Sequence, residues 1–264
     1  MKKLFLLVLV AITAFSCSKK SDEPQKDDPN GPYYPLSIKY TPAYSGATQS
    51  LYTFEYDANN RISSFRIKDY RDSLYNKIVY DDKGQITKLG TAKEANALVF
   101  EYNTSGLVTK FIETREPWNG NTQNAVYNYE YDAQGNMTKY TSQATNSPQT
   151  LTYVLTYKNG NVETLNQQGY NSDYTYGYST NNNMLYGQPI TNFLRGLSLN
   201  ITLWADPKVI FNSKNEVANR RHRQPGEDQS ALTYEYDSQK RPIKVTQTDE
   251  NTKAVRATWE IAWK

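Results

Sequence analysis

Four parts of this sequence carry residue types able to do chemistry, and each would do a different kind. Cys17 is the only cysteine and follows Met1-Lys2-Lys3, a mostly apolar run from Leu4 to Ala14, and Phe15-Ser16. A thiol that closes a short, basic-then-apolar export segment is where a lipid is attached. Arg220-Arg221-His222-Arg223 surrounds the only histidine with three guanidinium groups. Neighbouring cations disfavour an imidazolium and repel a metal ion. The run therefore reads as a solvated basic strand end or loop, or as a patch for an anion or acidic glycan. Trp118 lies in the polar loop Glu116-Pro117-Trp118-Asn119-Gly120-Asn121. Its ring either stacks on a sugar or a partner, or folds back on the body.

The fourth group is the carboxylates. Asp57, Asp81, Asp82, Asp132 and Asp237 each fall in a turn, where backbone hydrogen bonding already accounts for them. A glycosidase needs two carboxyl groups about 5–10 Å apart in a cleft, and no spacing here selects such a pair. The sequence has no Gly-rich phosphate loop and no nucleophile elbow. No catalytic residue, metal ligand or cofactor is therefore expected. With Cys17 acylated, no thiol remains for a disulfide, a metal site or a nucleophile.

The elements that must position these residues come from a repeat. Tyr-Asp-x-x-Gly followed by an apolar residue recurs at Tyr56–Ile62, Tyr80–Ile86, Tyr102–Val108, Tyr131–Met137 and Tyr236–Pro242, with worn copies from Tyr157, Tyr178 and Phe211. Asp or Asn opens a type I turn, and Gly at the fourth position takes the left-handed conformation that closes the hairpin loop. Asn60 stands in for Gly in the first unit and tolerates the same backbone region. Tyr56 should then face Ile62 across the ladder, Tyr80 should face Ile86, and Tyr131 should face Met137. Tyr157-Lys158-Asn159-Gly160-Asn161-Val162 is one residue shorter and carries the Asn-Gly of a two-residue loop.

Strands entering the turns alternate. Tyr52, Phe54 and Tyr56 share one face, as do Leu98, Phe100 and Tyr102; Tyr127, Tyr129 and Tyr131; and Leu232, Tyr234 and Tyr236. These aromatic positions predict an inward-facing, packed tyrosine ladder. Past each turn the apolar spacing becomes three, as in Ile86 and Leu89 or Met137 and Tyr140. That spacing predicts a bulge or two partly buried faces.

On the order of sixteen strands in consecutive hairpins predict an all-β antiparallel meander, curled or closed into a barrel-like body. Sixteen strands leave a channel, so the body must be flattened, open or plugged. The repeat lapses from Asn183 to Asp206. Within it Met184–Leu197, with Thr191 capping a turn of helix that ends at Gly196, reads as a plug on the aromatic face or as a surface loop. Residues 1–16 read as a signal peptide, 17–34 as a lipid-anchored flexible linker, and 35–264 as one repeat domain. The formal charge of +3 falls to about +1 without the first sixteen residues, which carry two lysines. Nothing in that balance recommends nucleic acid as a partner. A mean hydropathy of −0.79 and Glu55, Glu101, Glu130 and Glu235 on the second face argue against a membrane-spanning barrel.

The Tyr-Asp-x-x-Gly units between Tyr56 and Pro242 resemble the YD repeats of Rhs (rearrangement hotspot) proteins. Behind the lipobox-like Cys17, the whole chain is similar to a family of uncharacterised bacterial lipoproteins built from YD-type repeats. That resemblance implies a porin-like β-barrel and transfers neither an activity nor a catalytic residue. The chain is too short for the toxin-enclosing shell of the large Rhs proteins. The expected function is a non-catalytic outer-membrane lipoprotein, a β-scaffold for binding or envelope structure. Charged residues just after Cys17 favour the cell surface over a periplasm-facing anchor. One alternative is a glycan-binding accessory lipoprotein in which Trp118, Arg220, Arg221 and Arg223 contact ligand; another is a carboxylate-dependent hydrolase. The expected partners are the membrane, through the lipid anchor only, and a glycan or another envelope protein, but no nucleic acid.

Overall fold

The aspartate-led turns all fold the same way. In the computed structural model, Asp132 Oδ1 accepts the backbone N–H groups of Gln134 and Asn136, at 2.9 and 2.8 Å. Asp57, Asp81, Asn103 and Asp237 repeat this pair of bonds in their own turns. The Arg61 backbone N–H and guanidinium hold the Asp57 carboxyl below its ordinary range. The fourth position is left-handed in each case, with φ of 77° at Gly84, 83° at Gly135 and 59° at Asn60. Lys240 is held there too, at 61°, against a local cost of roughly 1–2 kcal/mol. In the shorter hairpin both Asn159 and Gly160 have positive φ, the two-residue loop that Asn-Gly predicts.

The structure describes residues 33–69, 72–93, 97–115, 123–145, 147–169, 172–186, 203, 207–222 and 229–264. Among these residues seventeen strands run between the turns. The first six are β1 (Pro35–Pro42), β2 (Ser50–Tyr56), β3 (Ile62–Lys68), β4 (Asp72–Tyr75), β5 (Lys77–Tyr80) and β6 (Ile86–Gly90). Then come β7 (Leu98–Tyr102), β8 (Val108–Arg115), β9 (Gln123–Tyr131), β10 (Met137–Ala144), β11 (Thr150–Lys158) and β12 (Asn161–Gln167). The last are β13 (Ser172–Asn182), β14 (Asn215–His222), β15 (Gln229–Tyr236), β16 (Pro242–Asp249) and β17 (Val255–Trp263). The pairs are antiparallel, and β1 joins both β2 and β17, so the meander curls into a nearly closed barrel. Only Asn76 separates β4, which pairs with β3, from β5, which pairs with β6. They are two halves of one bent strand.

The hairpin registers are those the turns predict: Tyr56 opposite Ile62, Tyr80 opposite Ile86 and Tyr131 opposite Met137. Each register slips by one just above the tyrosine. The slip makes Ser63, Thr87, Thr109 and Thr138 the extra residue of a bulge, which explains the apolar spacing of three. Thr87, Thr109 and Thr138 each turn a hydroxyl back to a carbonyl of the entering strand, at 3.2–3.3 Å.

Between hairpins the ladder stops short of the turns. Pairing of β8 with β9 extends down only to Lys110 opposite Asn128, and of β10 with β11 only to Lys139 opposite Val154. Below that level a tyrosine hydroxyl takes over. Tyr131 donates to the Val108 carbonyl at 2.7 Å, Tyr157 to Met137 at 2.8 Å and Tyr102 to Ile86 at 2.7 Å. Tyr80 donates to the Ile62 carbonyl, Tyr178 to Val162 at 2.5 Å and Tyr234 to Val217 at 2.6 Å. The Trp263 indole N–H reaches the Pro242 carbonyl at 2.8 Å, and Tyr56 reaches that of Pro35 at 2.9 Å. The accepting carbonyl always belongs to the residue that pairs with the preceding unit's aromatic. Trp263 itself pairs with Pro35, so the ring closes on itself.

Two expectations change here. Tyr236 holds its register opposite Pro242, but it is about one-third exposed and gives its hydroxyl to Glu216. Tyr234, two residues earlier, supplies the ring bond instead. Phe211 does not begin a repeat. It lies in α1 (Pro207–Asn212), because the Pro207 ring is preset for a first helical turn and the Phe211 ring is buried in the core from that helix.

Residues 183–214 interrupt the barrel between β13 and β14. The base of this excursion is closed by the Asn183 N–H on the Lys214 carbonyl and by the Asn183 amide on those of Ile210 and Ser213. Five of its described apolar residues, Leu185, Leu203, Val209, Ile210 and Phe211, are buried in the same core as the strands, whereas Tyr186 is exposed. Of the Met184–Leu197 segment expected as a plug, Leu185 packs in this core, and most of the rest, with the Thr191–Gly196 helix, lies outside the described residues. The strands' core side also carries aromatic pairs: Phe54 stacks on Phe65 at 5.0 Å and Tyr140 on Tyr153 at 4.3 Å, and Phe100 is tilted against Phe111 at 5.1 Å. The outward face carries cross-strand ion pairs, Glu101 with Lys110, Glu130 with Lys139 and Glu235 with Lys244. Each is worth little.

Removing one ring hydroxyl leaves a partly buried carbonyl without its donor. Tyr102→Phe and Tyr131→Phe should each cost about 1 kcal/mol and lower Tm by roughly 2–4 °C. Tyr44→Phe, at a site 68% exposed, should change neither.

Ionisation acts on the same bonds. Burial, aided by Asp57, raises the Tyr80 phenol to about 12, and burial raises Tyr56, Tyr102 and Tyr178 as well. A raised folded-state value means stability that is complete below the ordinary tyrosine pKa, roughly 10, and lost as pH climbs through the folded values. Denaturant melts should therefore be flat from pH 7 to 9 and fall steeply above pH 10, with phenolate absorbance rising in step.

Candidate functional site

The ring gives the barrel two unlike ends. One end holds the short turns, the excursion and both Tyr33 and Lys264, whose N–H bonds the Tyr34 carbonyl. The other end carries the longer connections, and its mouth holds a cavity of about 400 Å³. Ligand sites form in barrel mouths because the wall fixes side chains from several strands around one space.

Five side chains set the chemistry of that cavity: Tyr40 from β1, Tyr44 just beyond it, Arg220 from β14, Gln247 from β16 and Arg256 from β17. Tyr40 packs on the buried Trp259 ring at 5.3 Å, and burial and the neighbouring Tyr44 raise its phenol pKa. The Arg220 guanidinium lies over the Tyr174 ring at 5.2 Å. Gln247 is buried and its amide donates to Ser230 Oγ at 3.0 Å. Arg256 is held by Asp249. The Thr252 backbone N–H, with Arg256, keeps that carboxyl far below the usual range. None of the described residues lining the cavity is a carboxylate.

The structure separates the arginines that the sequence puts side by side. Arg220 turns to the cavity, while Arg221 lies on the opposite face of β14 and pairs with Glu250 at 3.1 Å. His222 sits edge-on to the Tyr174 ring at 5.1 Å. Trp118, Arg223 and Cys17 lie outside the described residues. Sequence reasoning missed Tyr40, Tyr44, Gln247 and Arg256, and no motif joins them, since they come from three strands and a loop. Among the described residues no group of three His, Cys, Asp or Glu side chains could hold a metal ion.

A second irregular cluster lies at the turn end. Glu216 is 5% exposed, Tyr236 donates to its Oε2 at 2.5 Å, and the Asn181 amide donates to the Tyr236 hydroxyl at 2.8 Å. Its other oxygen accepts no hydrogen bond among the described residues. Burial raises the Glu216 pKa, against the opposing pull of Tyr236, Asn181 and Ser179.

With this geometry in view, solved structures show what the chain is similar to. A porin-like protein from Bacteroides uniformis superposes with a TM-score of 0.58, at 11% identity, over 89% of this chain and 99% of that one. The two share a fold. A porin-like protein from Bacteroides vulgatus matches at 0.40 and 12% identity, over 88% of this chain and 99% of that one. The Photorhabdus luminescens Tc holotoxin pore matches at 0.36 and 13% identity, over 81% of this chain but 11% of that one. Scores this low carry no weight for the fold. No family model matches the chain, and no curated relative is found.

Because burial disfavours the Glu216 carboxylate, its charge opposes folding once pH exceeds its ordinary value. Glu216→Gln should therefore raise Tm at pH 7 by roughly 2–4 °C. The gain should shrink towards zero as pH falls below about 4.5, which melts recorded from pH 4 to 8 would reveal.

Proposed function

We propose that this protein is a lipid-anchored envelope protein whose β-body is a non-catalytic scaffold presenting its loop end for binding. The observation that carries this reading is the asymmetry of the barrel. The described chain enters at Tyr33 and finishes at Lys264 beside the sealed ring of turns, and the mouth cavity opens at the other end. Residues 17–34 can span about 60 Å when extended, enough to hold such a body clear of a lipid surface. The Cys17 context and the charged residues after it support an outer-membrane lipoprotein on the cell surface. The shared porin-like fold supports the envelope, while the outward ion pairs favour a body in water over one inserted in lipid.

The work of the carboxylates supports the non-catalytic part. Asp57, Asp81, Asp132 and Asp237 bond their own turns, and Glu101, Glu130 and Glu235 pair with lysines across the ladder. Two phenols at the mouth, with guanidinium and amide groups beside them, favour glycan binding as the more specific form of this reading.

In cells fed a fatty-acid probe, the wild-type chain should label and sediment with membranes. Cys17→Ala should do neither. Protease added to intact cells should remove the β-body from a surface-facing protein, whereas labelling that survives Cys17→Ala refutes the anchor.

A further inference from the structure

The mouth cavity can be read more closely, on the premise that the body is a binding scaffold. Its volume of about 400 Å³ is far more than a bare inorganic anion fills and lies at the small end of organic-ligand pockets. Tyr40 and Tyr44 give it aromatic faces that suit the C–H side of a sugar ring, with hydroxyls at their tips. The Gln247 amide, fixed by Ser230, is the kind of planar polar group that meets vicinal hydroxyls. Arg220 and Arg256 bring guanidinium groups whose parallel N–H donors match a carboxylate in two-point contact.

Both guanidinium groups are positioned rather than loose. The Arg220 guanidinium lies over the Tyr174 ring, and Arg256 is gripped by Asp249, itself tied down by the Asn251 and Thr252 backbone N–H groups at 2.8 Å. Pre-positioned donors lose little entropy on binding. Because Asp249 already offsets Arg256, the cavity suits one negative charge better than a dianionic phosphate. None of the described residues lining the cavity is a carboxylate, and Asp249 beside it is engaged by Arg256. We propose that the mouth of this barrel binds a carboxylated monosaccharide unit, with Arg220 and Arg256 receiving the carboxylate and Tyr44 stacking on the ring.

The test uses the acylated full chain in detergent and measures affinity by calorimetry for methyl glucuronide, methyl glucoside, glucose 6-phosphate and acetate. The glucuronide should bind at least roughly tenfold tighter than the glucoside, the phosphate or acetate. Tyr44→Ala should weaken it by roughly fivefold or more at unchanged Tm, since this side chain is 68% exposed. Arg220→Gln should remove the preference for glucuronide over glucoside, a ratio that a general loss of fold would not alter selectively. Equal binding of glucuronide and glucoside, acetate matching the glucuronide, full affinity in Tyr44→Ala, or no binding of any probe would overturn the site. Fatty-acid labelling of the same protein preparation reports separately on the anchored-scaffold reading, so failure of one is not mistaken for failure of the other.

Discussion

The hydrogen bond from an aromatic side chain of one hairpin to a backbone carbonyl of the preceding one is the constraint on which this barrel depends. Each hairpin carries a bulge just above its turn, and a bulge sharpens local twist and bends the strand. Neighbouring hairpins therefore cannot stay paired down to their turns, and at every joint one carbonyl loses its ladder partner. A buried carbonyl must find a donor. Tyrosine meets that need unusually well, because its ring spans the widened gap as apolar filling while its hydroxyl arrives at the far side. Phenylalanine would fill the same gap and leave the carbonyl bare. The repeat thus demands a tyrosine for a reason that hydrophobicity alone does not supply, and at the final joint the Trp263 indole does the same work.

This constraint also decides where the barrel can vary. The turn end is fixed by the phenol bonds, the Asp-led turns and the hairpin registers together, so little can change there without breaking several interactions at once. The opposite end has no such ring, and its connections lie beyond the last ladder bonds. Loops carried on a rigid wall are where binding specificity most readily develops. The excursion between β13 and β14 adds core on the inside without disturbing the ring, because Tyr178 and Val217 still face each other across its base.

Much of this was legible in the sequence. Asp-x-x-Gly announced the turns, and counting from them pairs Tyr131 with Met137. The spacing of three after each turn allowed a bulge or two partly buried faces, and only the register decides for the bulge. The phenol bonds were not read, because a tyrosine on an inward face looks like ordinary core. The clue was that every well-formed unit uses Tyr at that position and none uses Phe. Phe211 misled for the same reason, since an aromatic before a polar stretch mimics a worn unit when the hydroxyl is ignored. Tyr236 misled differently. Its register is the expected one, but the buried Glu216 competes for its hydroxyl, and competition between two acceptors cannot be counted along a chain. The mouth was legible only in Arg220, because its other members meet through the closure of β17 on β1.

The departures from the repeat are not scattered. From β2 to β12 the units follow one another with the same bulge and phenol bond, all but the last with the same Asp- or Asn-led turn, and their charged residues pair with near neighbours. From β13 round to β1 the pattern loosens all at once. That sector holds the excursion, the buried Glu216 with Tyr236, the guanidinium of Arg220 over Tyr174, the fixed Gln247, and Arg256 with Asp249. A sequence consistent at every level is one that only has to fold, and local inconsistency is where function is usually found. Lys240, left-handed without being glycine, also belongs to this sector. The regular arc acts as a frame whose registers leave no freedom, so the irregular arc can hold a buried carboxylate and a polar mouth without the wall opening beside them.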